Sequence, residues 1–262
     1  MHPTHWSLEK GETPLIALAI HNGHDIREEL SHYVSLSDSD RLREEDPHTG
    51  VWTSIAPTRA VLQHSRFEVD LNRPRDRAVY RTTEDAWGLA VWNGDGLPDH
   101  LVTQSLACYD AFYAGLEELY TEMTATHGRF LVLDLHSYNH RRSGPRGPHA
   151  DACGNPQVNV GTGTMLDRSR WERVIGRFMD NLSAFPFPGG HLDVRENVKF
   201  HGGNCARWTH EVFDASACVL SVEFKKFFMD EWTGWVDERQ LHAITDALHV
   251  AASGALQELH KP

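Results

Sequence analysis

The sequence predicts an α/β fold, in which helices cover the faces of a sheet. Three apolar runs are typical of buried strands and lie at residues 15–20, 130–135 and 218–224. Apolar residues at helical spacing occur at residues 106–126, 167–182 and 236–259. Alternation of strands with helices of this length is typical of a sheet joined by crossover helices.

The remaining elements follow in chain order. Between the first two strands the sequence predicts a short helix, a polar loop, a helical turn and an alternating strand, at residues 26–33, 35–46, 57–63 and 66–71. Residues 74–103 and 137–157 are rich in Pro, Gly and charged residues, and we expect long loops there. Loops of that length are often functional. Residues 194–200 are predicted as a further strand.

Length and composition indicate a globular protein. A chain of 262 residues can bury a large core, and 40% hydrophobic with 24% charged residues excludes wholesale disorder. The sequence has no internal repeat and no low-complexity segment. We therefore expect a single domain over residues 1–262.

The net charge of −12, with His neutral, argues against nucleic-acid and anionic-membrane partners, because phosphate contacts require Lys and Arg. No apolar run approaches the roughly 18 residues that span a membrane. Residues 1–6 lack the basic and then apolar pattern of a secretory signal. The four cysteines show no CxxC spacing, which argues against a zinc finger or a dithiol redox motif. We expect a cytoplasmic location.

Two histidines follow buried strands, at the sheet edge where open α/β folds bind ligands. His21 ends the first apolar run, and His136 ends the second. Asp134 lies two residues before His136 and therefore on the same side of that strand. Imidazole is a common zinc ligand, and a nearby carboxylate can fix its tautomer. Either histidine alone would be interpreted as a turn or core residue, but the pair favours a metal site.

Carboxylates can complete such a site. Glu44, Glu45 and Asp46 lie between the two histidines in the chain, and two His with one carboxylate form a common catalytic zinc set. The residues alone leave open which of the three acids binds. Glu223 interrupts the last apolar run, and a buried carboxylate needs a partner or a raised pKa. It is either a general base or the partner of one of the two lysines that follow it.

Arginines offer sites for an acidic substrate. Arg73 follows Asn72, and a guanidinium presents a planar fork of donors that matches a carboxylate. A smaller basic cluster consists of Arg141, Arg142 and Arg146. Either group can instead pair with the protein's own carboxylates.

The order of these motifs resembles the N-formylglutamate amidohydrolase family over roughly residues 15–235. The matching segments are His21-Asn22-Gly23, Glu45-Asp46, Asp70-Leu71-Asn72-Arg73-Pro74, Asp134-Leu135-His136-Ser137, Phe200-His201-Gly202-Gly203, Val222-Glu223 and Met229-Asp230-Glu231. The resemblance implies one catalytic domain with a three-layer α/β/α sandwich around a mixed sheet. This is the phosphorylase/hydrolase-like arrangement of the related zinc carboxypeptidases.

The resemblance also implies a zinc-dependent amidohydrolase that cleaves the amide bond of an N-formyl or N-acyl amino acid. By matching positions, one zinc ion would be held by His21, His136 and Asp46, with Glu45 as the alternative acid. The expected partner is a small substrate that carries a carboxylate.

Three further positions receive roles from the same resemblance: Glu223 would be the general base and acid, and Asn72 and Arg73 would hold the substrate carboxylate. From the basic cluster at 141–146, we expect Arg142 to bind the substrate as well. Two other functions stay open: a carboxypeptidase-like peptidase, and a non-catalytic zinc-binding or ligand-binding protein on the same fold. The presence of Glu223 argues against a pure binding protein, which needs no base there.

Overall fold

The computed structural model describes residues 6–94 and 96–261, so most of the segment used in the signal-peptide argument lies outside it. Within these residues seven strands form one mixed sheet in the order β1-β3-β2-β4-β7-β5-β6. The strands are β1 (Trp6–Glu9), β2 (Leu15–Ala19), β3 (Thr58–Leu62), β4 (Phe130–Tyr138), β5 (Val158–Gly161), β6 (Val194–Glu196) and β7 (Ala217–Lys225). The single domain over residues 1–262 stays a prediction.

Strands β3, β2, β4 and β7 are parallel to one another in the central part of the sheet. Strand β1 is antiparallel to β3, and β5 is antiparallel to β7 but parallel to β6. The helices are α1 (Glu28–Ser31), α2 (Asp38–Glu44), α3 (Thr49–Trp52), α4 (Asp99–His127), α5 (Glu172–Ala184), α6 (Asn204–Val212) and α7 (Glu238–Glu258). Short 3-10 helices lie at Thr53–Ile55, Arg75–Arg77 and Arg168–Trp171. Among the described residues, we find no helix with the length and apolarity that a membrane crossing requires.

Two apolar cores, one on each face of the sheet, make the fold three-layered. In β2 the side chains of Leu15 and Ala17 join the core formed with α5 and α7. Ile16 and Leu18 join the core formed with α4 and α6 on the opposite face. Because both faces are covered, β2 is one continuous apolar run, as expected for a central parallel strand. The predicted α/β/α sandwich with a mixed sheet is confirmed.

The parallel strands place the polar strand ends at one edge. Strand β4 pairs with β7 so that His136 lies opposite Glu223, and β2 lies on the other side of β4. His21 comes two residues after β2 ends. Gly23 follows it where the chain passes the backbone of β3, and a Cβ atom there would lie 2.3 Å from the carbonyl oxygen of His64. Only glycine fits this close approach.

Two local predictions were wrong. The predicted helical turn at 57–63 is strand β3, which pairs with both β1 and β2. The predicted strand at 66–71 consists of turns. Ser65 Oγ accepts a hydrogen bond from the backbone N–H of Phe67, and Asp70 Oδ1 accepts one from that of Asn72. Such local side-chain bonds compete with sheet pairing and explain the difference.

Other differences concern elements that the sequence did not indicate. The polar loop at 35–46 contains α2, whose first turn is capped by Ser37 through a hydrogen bond from the backbone N–H of Asp40. Helix α4 begins at Asp99, seven residues before the predicted start at 106. The short strand β5 and helix α6 were not predicted, because neither carries an apolar run of its own.

A buried histidine joins α6 to the sheet. Strand β5 pairs with β7 only from Ser221 onwards, so the N–H of Val219 needs another partner. It donates to Nε2 of His210 at 3.2 Å, while Nδ1 of His210 lies 3.0 Å from Oγ1 of Thr164. Because Nε2 accepts this hydrogen bond, the imidazole ring of His210 must be neutral. Burial lowers the pKa of His210 to about 4, although Asp214 opposes the shift.

We predict that His210 makes the fold sensitive to acid. Its pKa is lower in the folded than in the unfolded state, so the unfolded chain takes up the proton first as the pH falls below about 6.5. Between pH 7 and pH 4, the free energy of unfolding should fall by up to about 3 kcal/mol more in the wild type than in His210→Gln. Urea unfolding across this range measures it. His242→Gln, at an exposed site on α7, is the control. Parallel pH profiles for wild type and His210→Gln would contradict the prediction.

Candidate metal centre and active site

A cavity of about 460 Å³ opens at the edge where β2, β4 and β7 end. Its lining includes every residue that the sequence analysis assigned to a site: His21, Asp46, Asn72, Arg73, His136, Arg142 and Glu223. These residues come from five separate segments of the chain. The structure therefore brings the candidates together, and their individual roles stay predictions.

Three buried side chains form a candidate metal centre. His21, Asp46 and His136 each offer a ligand atom, and these atoms all lie within 4.8 Å of one another. Oδ2 of Asp46 lies 2.8 Å from Nδ1 of His136 and 3.4 Å from Nδ1 of His21. Hydrogen bonds to both histidines lower the pKa of Asp46, against the effect of burial. Two imidazole nitrogens and one carboxylate are donors that zinc accepts in catalytic sites. Within the described part of the chain, no second group of this kind occurs.

The outer nitrogen of each histidine faces another carboxylate. Nε2 of His21 lies 2.8 Å from Oδ1 of Asp70, and Nε2 of His136 lies 3.0 Å from Oδ1 of Asp134. A bound metal ion would replace the proton on Nδ1, and a proton kept on Nε2 would leave the lone pair of Nδ1 directed to the centre. Carboxylates in this position orient metal-binding histidines and raise their basicity. The donor set and its supporting contacts therefore fit a zinc ion.

The position of Asp46 separates it from its neighbour Glu45. The carboxylate of Glu45 is fully buried and accepts hydrogen bonds from Nδ1 of His24, at 2.6 Å, and from the hydroxyl of Ser65. Both carboxylate oxygens of Glu45 are therefore bonded to groups other than His21 and His136. The backbone N–H of Asp46 donates to the carbonyl oxygen of His21 at 2.9 Å, which directs its side chain into the centre.

Glu223 lies beside the metal centre on β7. Burial raises the pKa of its carboxyl to about 7, with His136 opposing the shift and Asp46 adding to it. Neither following lysine pairs with this carboxylate: Nζ of Lys225 donates to the carbonyl of Asn155, and Nζ of Lys226 donates to backbone carbonyls near Asp46. A carboxyl with a pKa near neutrality suits a general base.

Arg73 remains available to a ligand. Its side chain is 19% exposed, and among the described residues it forms only a long ion pair, 3.7 Å from Nε to Oδ2 of Asp70. The guanidinium carbon lies 5.0 Å from the ring centre of Tyr80 and 5.4 Å from that of Trp87. These cation–π contacts fix the side chain while leaving its donors free for a carboxylate.

Asn72 also makes a structural contact with helix α6. Its Oδ1 accepts a hydrogen bond from the backbone N–H of Cys205, at 3.1 Å, in the first turn of α6. Its Nδ2 lies 3.4 Å from Nε2 of His136. A Cβ atom at Gly203 would lie 2.1 Å from Oδ1 of Asn72, so glycine permits this contact. Asn72 thereby ties the turn that carries Arg73 to α6.

Arg142 lies at the rim of the cavity, with 59% of its side chain exposed and Nη2 3.7 Å from Oε2 of Glu44. Lys199 is a second cation in the cavity lining, which the sequence analysis did not single out. Burial lowers the pKa of Lys199, and the charge of Arg142 lowers it further. The two side chains therefore give this rim a positive potential.

Sequence reasoning also missed Asp70 as a partner of His21, and Lys226 as a cavity residue. Asp70 stood inside a recognised motif, yet its partner is 49 residues away, and no local pattern indicates that pairing. Its carboxylate also accepts hydrogen bonds from Arg66, at 2.7 Å, and from the hydroxyl of Tyr80. The charge of Arg66 holds the pKa of Asp70 well below its usual value despite burial.

Comparison with known proteins adds an independent result. A family model described as N-formylglutamate amidohydrolase matches residues 13–227. A search of curated proteins gave no match.

Among solved structures, N-formylglutamate amidohydrolase from Ralstonia eutropha JMP134 is 15% identical, with a TM-score of 0.75 over 98% of both chains. A gene product of Agrobacterium tumefaciens is 16% identical, with a TM-score of 0.69 over 97% of this chain and 95% of its own. Both have the same fold. Because the family model covers most of the sequence, this chain belongs to the N-formylglutamate amidohydrolase family, as the order of its motifs predicts.

Proposed function

We propose that this protein is a zinc-dependent amidohydrolase that cleaves the amide bond of an N-formyl or N-acyl amino acid, with N-formylglutamate as the model substrate. The observation that carries the proposal is the convergence of His21, Asp46 and His136 beside Glu223 in one cavity. Family membership supports the reaction class. The structural neighbour named for N-formylglutamate supports the choice of substrate.

His21, Asp46 and His136 would hold the ion. When bound, zinc would lower the pKa of a water molecule and polarise the amide carbonyl of the substrate. Asp70, which is hydrogen-bonded to Nε2 of His21, would keep that ring oriented, and the carboxylate of Asp134, 3.0 Å from Nε2 of His136, would support the other ring by its charge. That the native metal is zinc is part of the proposal.

Glu223 would move the proton. As a carboxylate it takes one proton from the attacking water, while the water oxygen forms a bond to the amide carbon. It then delivers that proton to the amine nitrogen as the C–N bond breaks, which releases a carboxylic acid and an amine. The pKa of about 7 suits both steps, because the group can accept and return a proton near neutral pH.

The cations of the cavity would bind the substrate as an anion. Arg73 would receive the carboxylate of the amino acid, oriented by its contacts with Tyr80 and Trp87. Arg142 and Lys199 would attract a second carboxylate at the rim, which favours a dicarboxylic substrate such as an N-acylglutamate. A small, doubly anionic ligand thus fits a cavity inside an acidic protein.

Zinc binding gives a test of the metal ligands. A ligand that binds only the folded state should raise the free energy of unfolding by about 2.7 kcal/mol at a free zinc concentration of 100 times Kd. We expect this gain in the wild type and its loss at the same zinc concentration in Asp46→Asn. Glu45→Gln is the matched control and should keep the gain. Urea unfolding with and without zinc measures both. An undiminished gain in Asp46→Asn would exclude Asp46 as a ligand.

Replacement of the base should separate catalysis from metal binding. Glu223→Gln is nearly isosteric but cannot accept the water proton, so kcat for N-formylglutamate should fall by about 10²- to 10⁴-fold. Its zinc-dependent stabilisation should match that of the wild type. Wild-type turnover in zinc-loaded Glu223→Gln would show that the base lies elsewhere. A wild-type protein that binds zinc but hydrolyses no acyl amide would favour the non-catalytic alternative.

The role of Arg73 can be isolated with a modified substrate. Arg73→Met should lower kcat/KM for N-formylglutamate by about 10- to 150-fold, the effect of losing roughly 1.5–3 kcal/mol of charged hydrogen bonding. The same variant should have little effect on the analogue whose α-carboxylate is replaced by a carboxamide. Initial rates for both substrates provide the measurement. Equal losses for the two substrates would mean that Arg73 does not bind this carboxylate.

A further inference from the structure

Lys226 is a fully buried lysine immediately after β7. Only 1% of the residue is exposed, although it contributes to the lining of the cavity. An ammonium group removed from water is strongly destabilising unless it is paired and hydrogen-bonded. The local structure therefore has to supply good contacts, and these contacts indicate what the residue does.

The contacts of Lys226 join three segments. Its Nζ donates hydrogen bonds to the carbonyl oxygens of Arg43, at 2.6 Å, and Glu45, at 2.7 Å. Its backbone N–H donates to the carbonyl of Tyr138 at 2.9 Å. The carbonyl of Arg43 belongs to the last turn of α2, where backbone oxygens lack partners within the helix. Lys226 thus links the end of β7 to the end of β4 and to the segment after α2.

Each of these segments carries one part of the proposed site. Asp46 directly follows Glu45, whose carbonyl accepts one of the ammonium hydrogen bonds. His136 lies two residues before Tyr138 on β4, and Glu223 lies three residues before Lys226 on β7. The segment after α2 belongs to no strand, so the sheet does not fix it. The bonds from Lys226 connect it to the two strands.

The surrounding charges keep the ammonium in place. Burial lowers the pKa of Lys226 to about 8, while the carboxylates of Asp46, Glu44, Glu231 and Glu45 oppose this shift. At pH 7 the group is therefore mostly protonated, and both carbonyl contacts keep a donor. The positive charge also offsets part of the repulsion within this acidic group.

We infer that Lys226 is a positioning residue, which holds Asp46 at the metal centre by tethering the backbone on its N-terminal side to the strand that carries Glu223. The inference rests on the proposed metal site. Two of the three donors of the ammonium bond to backbone oxygens of the protein, which supports a positioning role rather than contact with the substrate.

The test is zinc affinity, measured on the metal-free full chain by competition with a chromophoric chelator. Lys226→Met removes the donor, and Lys226→Gln keeps an N–H donor without the charge. Contacts that orient metal ligands typically contribute 10- to 100-fold to affinity. We expect Lys226→Met to raise the Kd for zinc within this range and Lys226→Gln to raise it less. Lys225→Met is the control, since Lys225 binds the carbonyl of Asn155 instead, and should leave the Kd unchanged.

The outcomes separate the possible roles. If Lys226 only stabilised the fold, Lys226→Met would unfold at lower urea concentration but keep the wild-type Kd, which would overturn the inference. An unchanged Kd with a large loss of kcat/KM would assign Lys226 to substrate contact and would overturn it too. If Lys226→Met does not fold, the comparison is made between Lys226→Gln and Lys225→Met, and a Kd for zinc that is the same in both variants would overturn the inference. A wild type that binds no zinc would contradict the proposed site itself.

Discussion

Parallel pairing of β2, β4 and β7 is the constraint on which the candidate site depends. Adjacent strands lie about 4.8 Å apart, so residues at equivalent positions meet whatever their separation in the chain. This pairing places His136 opposite Glu223, 87 positions later, and places His21 on the other side of β4. Because apolar cores cover both faces, a shift of register by one residue would move each side chain from its own packed core into the other. Half of the site is thus a rigid edge of the sheet.

The other half comes from turns, and buried charges fix its position. Asp46 and Asp70 are buried carboxylates, and each would be strongly destabilising without compensation. Arg66 bonds directly to Asp70, and Lys226 bonds to the backbone just before Asp46. Removing one partner from such a group leaves the other charge buried and unpaired, so these contacts specify one arrangement of the turns. A cation four residues from Asp70 and a second cation at the end of β7 therefore hold the turns that complete the candidate site.

This division explains what could be predicted from the sequence. His21, His136 and Glu223 were found from local patterns, because each ends or interrupts an apolar strand. Asp46 could not be chosen that way, because it lies in a turn whose backbone contacts come from distant residues: its own N–H bonds to the carbonyl of His21, and Lys226, 181 positions after Glu45, bonds to the carbonyl of Glu45. Only the resemblance of motif order favoured it, whereas the chemistry of the guanidinium already indicated an acidic ligand for Arg73. The strand predicted at 66–71 was wrong for a similar reason, because side-chain bonds to the backbone replaced sheet pairing there.

A buried asparagine on β5 holds the wall of the cavity that carries Lys199. Asn159 is fully buried on β5, and its Oδ1 accepts hydrogen bonds from the backbone N–H groups of Val198 and Lys199 at 3.0 and 2.8 Å. Its Nδ2 donates to the carbonyl of Phe200 at 2.7 Å. One amide thus shapes the wall that presents Lys199 to the cavity, without contact to the metal ligands. Strand β5 also pairs with β7 at Glu223, so the same strand supports both the proposed base and the wall beside which we propose that an anion binds.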